Sequence, residues 1–147
     1  MLNSLFRTDN DAASLVLRVM LGVVFFPHGA QKVLGWFGGH GLEGTLGFFT
    51  QTMGLPLVVA ALVIAAEFLG AFGLIAGLLT RLAAFGILCV MTGAIFMVHL
   101  PHGFFMNWSG KQAGEGFEFH LLAIVIALAL MLKGGGRWSL DRLIARR

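Results

Sequence analysis

The sequence predicts an all-α polytopic membrane protein: a four-transmembrane-helix bundle forming a single domain over 1–147, with both termini cytoplasmic. Three observations predict it. The chain is 58% hydrophobic and 12% charged, with a mean hydropathy of +0.89, whereas soluble domains carry about 25% charged residues. Its apolar residues gather into four segments, about 15–34, 57–79, 82–100 and 116–132, each near the roughly 20 residues that cross a bilayer. Its basic residues are polarised. Arg7, Arg18, Arg81, Lys133, Arg137, Arg142, Arg146 and Arg147 fall on one side of these segments, and Lys32 and Lys111 on the other. The positive-inside rule puts the first side in the cytoplasm.

The N-terminal MLNSLFRTDNDAAS mixes acids with one arginine and lacks a small-residue cleavage site, so the first apolar segment is expected to be a retained span. That segment ends in FFPHGAQK, where Pro27 removes a backbone donor and frees the carbonyl of Val23. At 100° per residue, Arg18, Gly22, Phe25, Gly29 and Lys32 share a face, and His28 lies just beyond its edge on the Lys32 side. Arg18 reads as a cytoplasmic-interface anchor, and Lys32 as either a site residue or a snorkelling end residue.

The following connector, GWFGGHGLEGTLGFFTQTMGLP, repeats Leu42, Leu46, Phe49 and Met53 at helical spacing and closes on Gly54 and Pro56. It is expected to form either a short amphipathic helix lying as a lid on the outer surface or a plain glycine-rich tether. In the second span, Val63, Glu67, Ala71 and Leu74 form an inward stripe, with Glu67 near the midplane. An ionisable group there costs a few kcal/mol unless it meets a partner or a wet cavity. Thr80 and Arg81 alone join the second and third spans, which makes them an antiparallel hairpin.

The third span carries VMTGAIFMVH, which aligns without gaps on VMLGVVFFPH of the first. A parallel repeat would set His28 and His99 at equivalent depth. Pro101 is expected to end that helix before HGFFMNWSGKQAGEG, a loop with solvated His102, Lys111 and Glu115. Trp36 and Trp108 mark the outer interface and Trp138 the inner one.

Some classes are excluded. The single cysteine, Cys89, allows no intramolecular disulfide and no two-cysteine relay. The formal charge of +3 is dispersed along span ends, which serves topology and offers nothing to a nucleic acid. The spans leave no room for a separate soluble catalytic domain.

The protonatable groups are polarised too. All five histidines, His28, His40, His99, His102 and His120, fall in the outer half or outer connections, together with Glu43, Glu115 and Glu118.

The early Arg18, the FxxHGxxK pattern of Phe25, His28, Gly29 and Lys32, the glycine-rich connector, the glutamate in AAEFLGAFGLIAGLLTR and the four-span length together resemble the DoxX family of bacterial inner-membrane proteins. The resemblance covers about 12–135. It implies an inner (plasma) membrane location and a quinone-linked role as subunit or anchor of a membrane redox complex.

The residues have the types that such a role needs. A quinone head group requires a donor at its carbonyl oxygens, a cation for developing negative charge and a proton acceptor connected to water. His28, Lys32 and Glu67 are assigned these parts in that order, Phe25, Phe68, Phe72 and Phe96 the apolar wall, and His99 with Glu118 and His120 an outward proton path. No flavin or iron–sulfur motif is present, so a partner redox protein or an oligomer is implied.

A haem or transition metal is the rival use of His28, His99, His102, His120 and Glu118, although no helix holds an HxxxH or ExxH pair. A further alternative is a non-catalytic membrane anchor or small-solute carrier, in which Glu67 pairs with His28 or Lys32 as registry glue or as part of a translocation site.

Overall fold

The computed structural model describes residues 5–145. Met1–Ser4, and Arg146 and Arg147 of the basic set, lie outside the described residues. Among the described residues every regular element is helical.

Helix α1, Ala12–Val33, starts at Asp11, whose carboxylate accepts from Ala13 N at 3.0 Å, and runs through Pro27 to its end. A 3₁₀ turn at Trp36–Gly38 leads into α2, Gly41–Gly47, which continues as a π turn over Phe48–Thr52. The expected lid is therefore helical, and it packs on α1 and on α3, Leu57–Ala76.

α3 stops at Gly77, whose left-handed φ of 68° allows Leu78 N to donate back to Gly73 O at 2.8 Å. The chain turns at once into α4, Thr80–Ala94, which widens into a π turn at Ile95–His99 and then tightens into a 3₁₀ turn at Leu100–His102. Pro101 sits in this last turn, and the helix ends at Gly103. Helices α5, Glu118–Lys133, and α6, Leu140–Ala145, complete the chain.

Three helical segments are long and apolar enough to cross a membrane: Ala12–Val33, Leu57–Ala76 and Thr80–His102. The fourth expected span is shorter. α5 has 16 residues, about 24 Å of helix against a hydrocarbon core of about 30 Å.

α1 packs along α3, α3 along α4 and α4 along α5, which also meets α1. Leu21 and Phe25 of α1, Ala71 and Leu74 of α3, Ala84, Ile87 and Met91 of α4, and Ala123, Ala127 and Leu130 of α5 fill one core. The opposite faces expose Val16, Met20, Leu62, Leu69, Leu122 and Val125, a distribution that suits lipid and not water. The α1–α3 contact is tight because of glycine. A β-carbon on Gly29 would stand 2.6 Å from Phe68 Cα, so only a bare backbone permits this approach.

Arg18 departs from its reading as an interfacial anchor. It is 1% exposed. Its guanidinium donates to Gly135 O at 2.7 Å, to Leu74 O and Trp138 O at 3.0 Å, to Arg137 O at 3.3 Å, and to Ile75 O. The frayed carbonyls at the end of α3 and those of the α5–α6 connection thus solvate a charge that would otherwise be too costly to bury. Asp141 completes this clasp from the other side, accepting from Leu79 N at 2.7 Å and Thr80 N at 2.9 Å at the start of α4.

Candidate functional site

The inward stripe of α1 is buried at Arg18, Gly22, Phe25 and Gly29 and half-buried at Lys32. Because Gly29 brings α1 against the backbone of Glu67 and Phe68, the lysine one turn further on reaches the α3 carboxylate. Lys32 Nζ forms an ion pair with Glu67 Oε2 and lies 3.4 Å from His28 O. Glu67 is 5% exposed. The intramembrane carboxylate therefore has the partner its burial demands, and the partner is Lys32.

The two helices end at different heights. α1 ends one residue beyond Lys32, whereas α3 extends about 15 Å past Glu67 toward its own start, ten residues at 1.5 Å each. The lid packs against both helices beside this step. Between the end of α1 and the lid lies a cleft of about 360 Å³, lined by Gln31, Lys32, His40, Thr45, Phe48 and Phe49, with Gly38 and Gly39. Its walls combine a cation, hydroxyl, amide and imidazole groups with two aromatic rings.

His28 is exposed, with its ring 6.0 Å from that of Phe25, and lies within electrostatic reach of Glu67 and Lys32. The expected aromatic wall divides. Phe25 is buried and stacks on Phe119 at 6.4 Å; Phe68 meets Phe72 edge-on at 5.3 Å; Phe96 is 69% exposed in the π turn that follows α4.

The outer histidines form a second group. His99 and His120 have ring centroids 4.0 Å apart, and His99 Nδ1 is 2.8 Å from Glu115 O. His120 is 6% exposed, and its Nδ1 has no partner among the described residues. Glu118 turns away from them to brace the loop, accepting from Met106 N at 2.9 Å and Trp108 Nε1 at 3.2 Å. His102 packs against Gly114. Among the described residues no three histidine, cysteine, aspartate or glutamate side chains converge as metal ligands.

Sequence reasoning did not single out His40 or Thr45 for the site. Thr45 shares the lid face of Leu42 and Phe49 at i−3 and i+4, so the spacing that predicts the lid also carries the signal for its one buried polar side chain.

The model of the family described as DoxX matches residues 13–100. The chain belongs to the DoxX family. The match runs from α1 to the last turns of α4 and so contains Lys32, Glu67 and the lid, while α5 with His120 follows it. Bacillus subtilis "Putative oxidoreductase CatD" is 32% identical over 131 residues, 89% of this chain and 86% of that protein. An uncharacterised membrane protein of Mycobacterium tuberculosis is 29% identical over 97% of this chain and 88% of its own length. Escherichia coli "Inner membrane protein YqjF" is 27% identical over 93% of this chain and 95% of its own length. No solved structure matches. This DoxX protein is thus a membrane protein whose apolar helix faces meet lipid.

Proposed function

We propose that the chain is a four-span inner-membrane subunit of a quinone-linked oxidoreductase complex, with both termini cytoplasmic, and that it binds a quinone head group in the cleft beneath the lid. The observation that carries the reading is the ion pair of half-buried Lys32 with buried Glu67 beside that cleft. Three points support the topology: Arg7, Arg81, Lys133 and Arg142 gather at one end of the helices, where the two described chain ends pack together; α5 joins the same core; and Trp36 and Trp108 are exposed at the opposite end. The name of the Bacillus relative favours redox work, and that of the Escherichia relative an inner-membrane location.

The fit is one of size and chemistry. A cleft of about 360 Å³ falls within the roughly 300–1,000 Å³ of small-molecule sites, and its aromatic and polar lining suits a flat ring with two carbonyl oxygens. A bound quinone supplies two-electron, two-proton carrier chemistry soluble in the bilayer. Lys32 has Nζ at the cleft wall to donate to a carbonyl oxygen and offset negative charge there. Glu67 keeps that ammonium oriented and takes up a proton when the charge balance of the pair changes. His28, being exposed beside the pair, passes the proton outward. The lid excludes water from above through Phe48 and Phe49.

Replacement of Glu67 by Gln tests this in the assembled complex. The reading predicts loss of quinone-dependent turnover with the complex still assembled; wild-type turnover would remove Glu67 from proton transfer.

A further inference from the structure

At the opposite end of the helices, a cleft of about 400 Å³ is lined by Arg7, Thr8, Asp9, Arg81, Leu132 and Lys133. It is separate from the lid cleft and shares no residue with it. Its cations are differently held. Arg81 donates to Arg7 O at 3.1 and 3.2 Å, to Leu132 O at 3.0 Å and to Met131 O. Four carbonyl bonds fix this guanidinium without a carboxylate, so its position is set and its charge is left over. Lys133 pairs with Asp11 Oδ2 at 2.9 Å, and the side chain of Arg7 is in no ion pair among the described residues. With Asp9 as the only acid lining the cleft and Asp11 behind Lys133, one positive charge remains when all five groups are counted.

The cleft also has an apolar border. Leu132 is 79% exposed and Leu82, beside Arg81, is 54% exposed, so lipid-facing helix surface begins where the cations end. This is the depth at which head groups meet hydrocarbon if α4 and α5 span the bilayer, and the inference rests on that four-span reading.

We propose that this cleft is a binding site for the phosphate-bearing head group of an anionic phospholipid. Arg7 and Arg81 face the phosphodiester, Lys133 releases part of its hold on Asp11 to join them, and the acyl chains run down over Leu132 and Leu82. Free phosphate shares the head-group chemistry and lacks the chains, so the Leu132 border favours the lipid. Basic residues at such a surface strengthen anionic-lipid binding about fivefold each.

Native mass spectrometry of the full-length protein in detergent, given equimolar phosphatidylglycerol and phosphatidylcholine of identical chains, tests the site. The proposal expects preferential phosphatidylglycerol adducts, a loss of about fivefold in that preference in Arg7→Gln and in Lys133→Gln, and retention in Arg137→Gln, whose side chain lies outside the cleft. Arg7 bonds to Arg81 only through its carbonyl, so Arg7→Gln keeps the fold, and an unchanged thermal transition checks this. Equal adducts of both lipids, or an equal loss in Arg137→Gln, overturns the site. Displacement of the lipid by excess inorganic phosphate would assign it to a soluble anion instead. Quinone content of the same samples is read separately, so failure here and failure of the quinone reading are distinct results.

Discussion

Lys32 at the end of α1 and Glu67 midway along α3 form an ion pair in which the carboxylate is 5% exposed. Each residue explains the other. Burial forces Glu67 to take a cationic partner, and Gly29 brings the helix that supplies one against the Glu67 backbone.

Lys32→Ala leaves the carboxylate buried and unpaired, and is expected to destabilise the protein by about 3–5 kcal/mol. Lys32→Met with Glu67→Met removes both charges and should recover most of that loss. Thermal unfolding in detergent measures stability, and turnover of the assembled complex measures function. The double variant is predicted to be stable and inactive; if it were active, the pair would be only a packing device.

Gly29→Val places side-chain atoms where Phe68 Cα stands, 2.6 Å from the first of them. The helices must part at the level of Glu67, with a loss of about 1–3 kcal/mol from overpacking. Turnover should fall with it, because Lys32 is carried away from Glu67. A distance measured between spin labels on α1 and α3 checks the separation directly.

Arg18→Leu removes the guanidinium from five carbonyls in a nearly closed site, where Leu74 O keeps a second donor in Gly77 N at 3.3 Å. Each orphaned buried group costs about 1–3 kcal/mol, so the α5–α6 connection is predicted to come loose from the end of α3. Limited proteolysis near Gly134–Ser139 should become fast in the variant and stay slow in the wild type.

Asp11 is held at about 2 by its hydrogen bond to Lys133, aided by the Ala13 N–H. A carboxylate depressed by folding stabilises the native state above its ordinary value near 3.8, and that contribution is lost as pH falls from there through about 2. Acid titration of thermal stability should show this loss in the wild type and a shallower one in Asp11→Asn.

The elements that hydropathy and helical spacing dictate were legible in the sequence. The stripe from Arg18 to Lys32 is the buried face of α1, the periodicity of Leu42, Leu46 and Phe49 is a helical lid, and Glu67 has a cationic partner. What was illegible depends on long-range geometry. Arg18 looked interfacial because its acceptors are backbone carbonyls up to residue 138, which carry no side-chain signature. The fourth apolar segment, 116–132, is already the shortest of the four in the sequence, and its helix starts only at Glu118 because Gly116 and Phe117 are spent in the loop, where Phe117 N donates to Gly103 O. The cleft at His40 and Thr45 arises from the unequal heights of α1 and α3, which no single segment reveals.

The most direct test of the quinone reading is solvent extraction of the purified protein, with quinone in the lipid fraction quantified against protein. The account predicts near-stoichiometric quinone in the wild type and little in Lys32→Met with Glu67→Met. Absence of quinone from wild-type protein, or equal amounts in the charge-free variant, would contradict it.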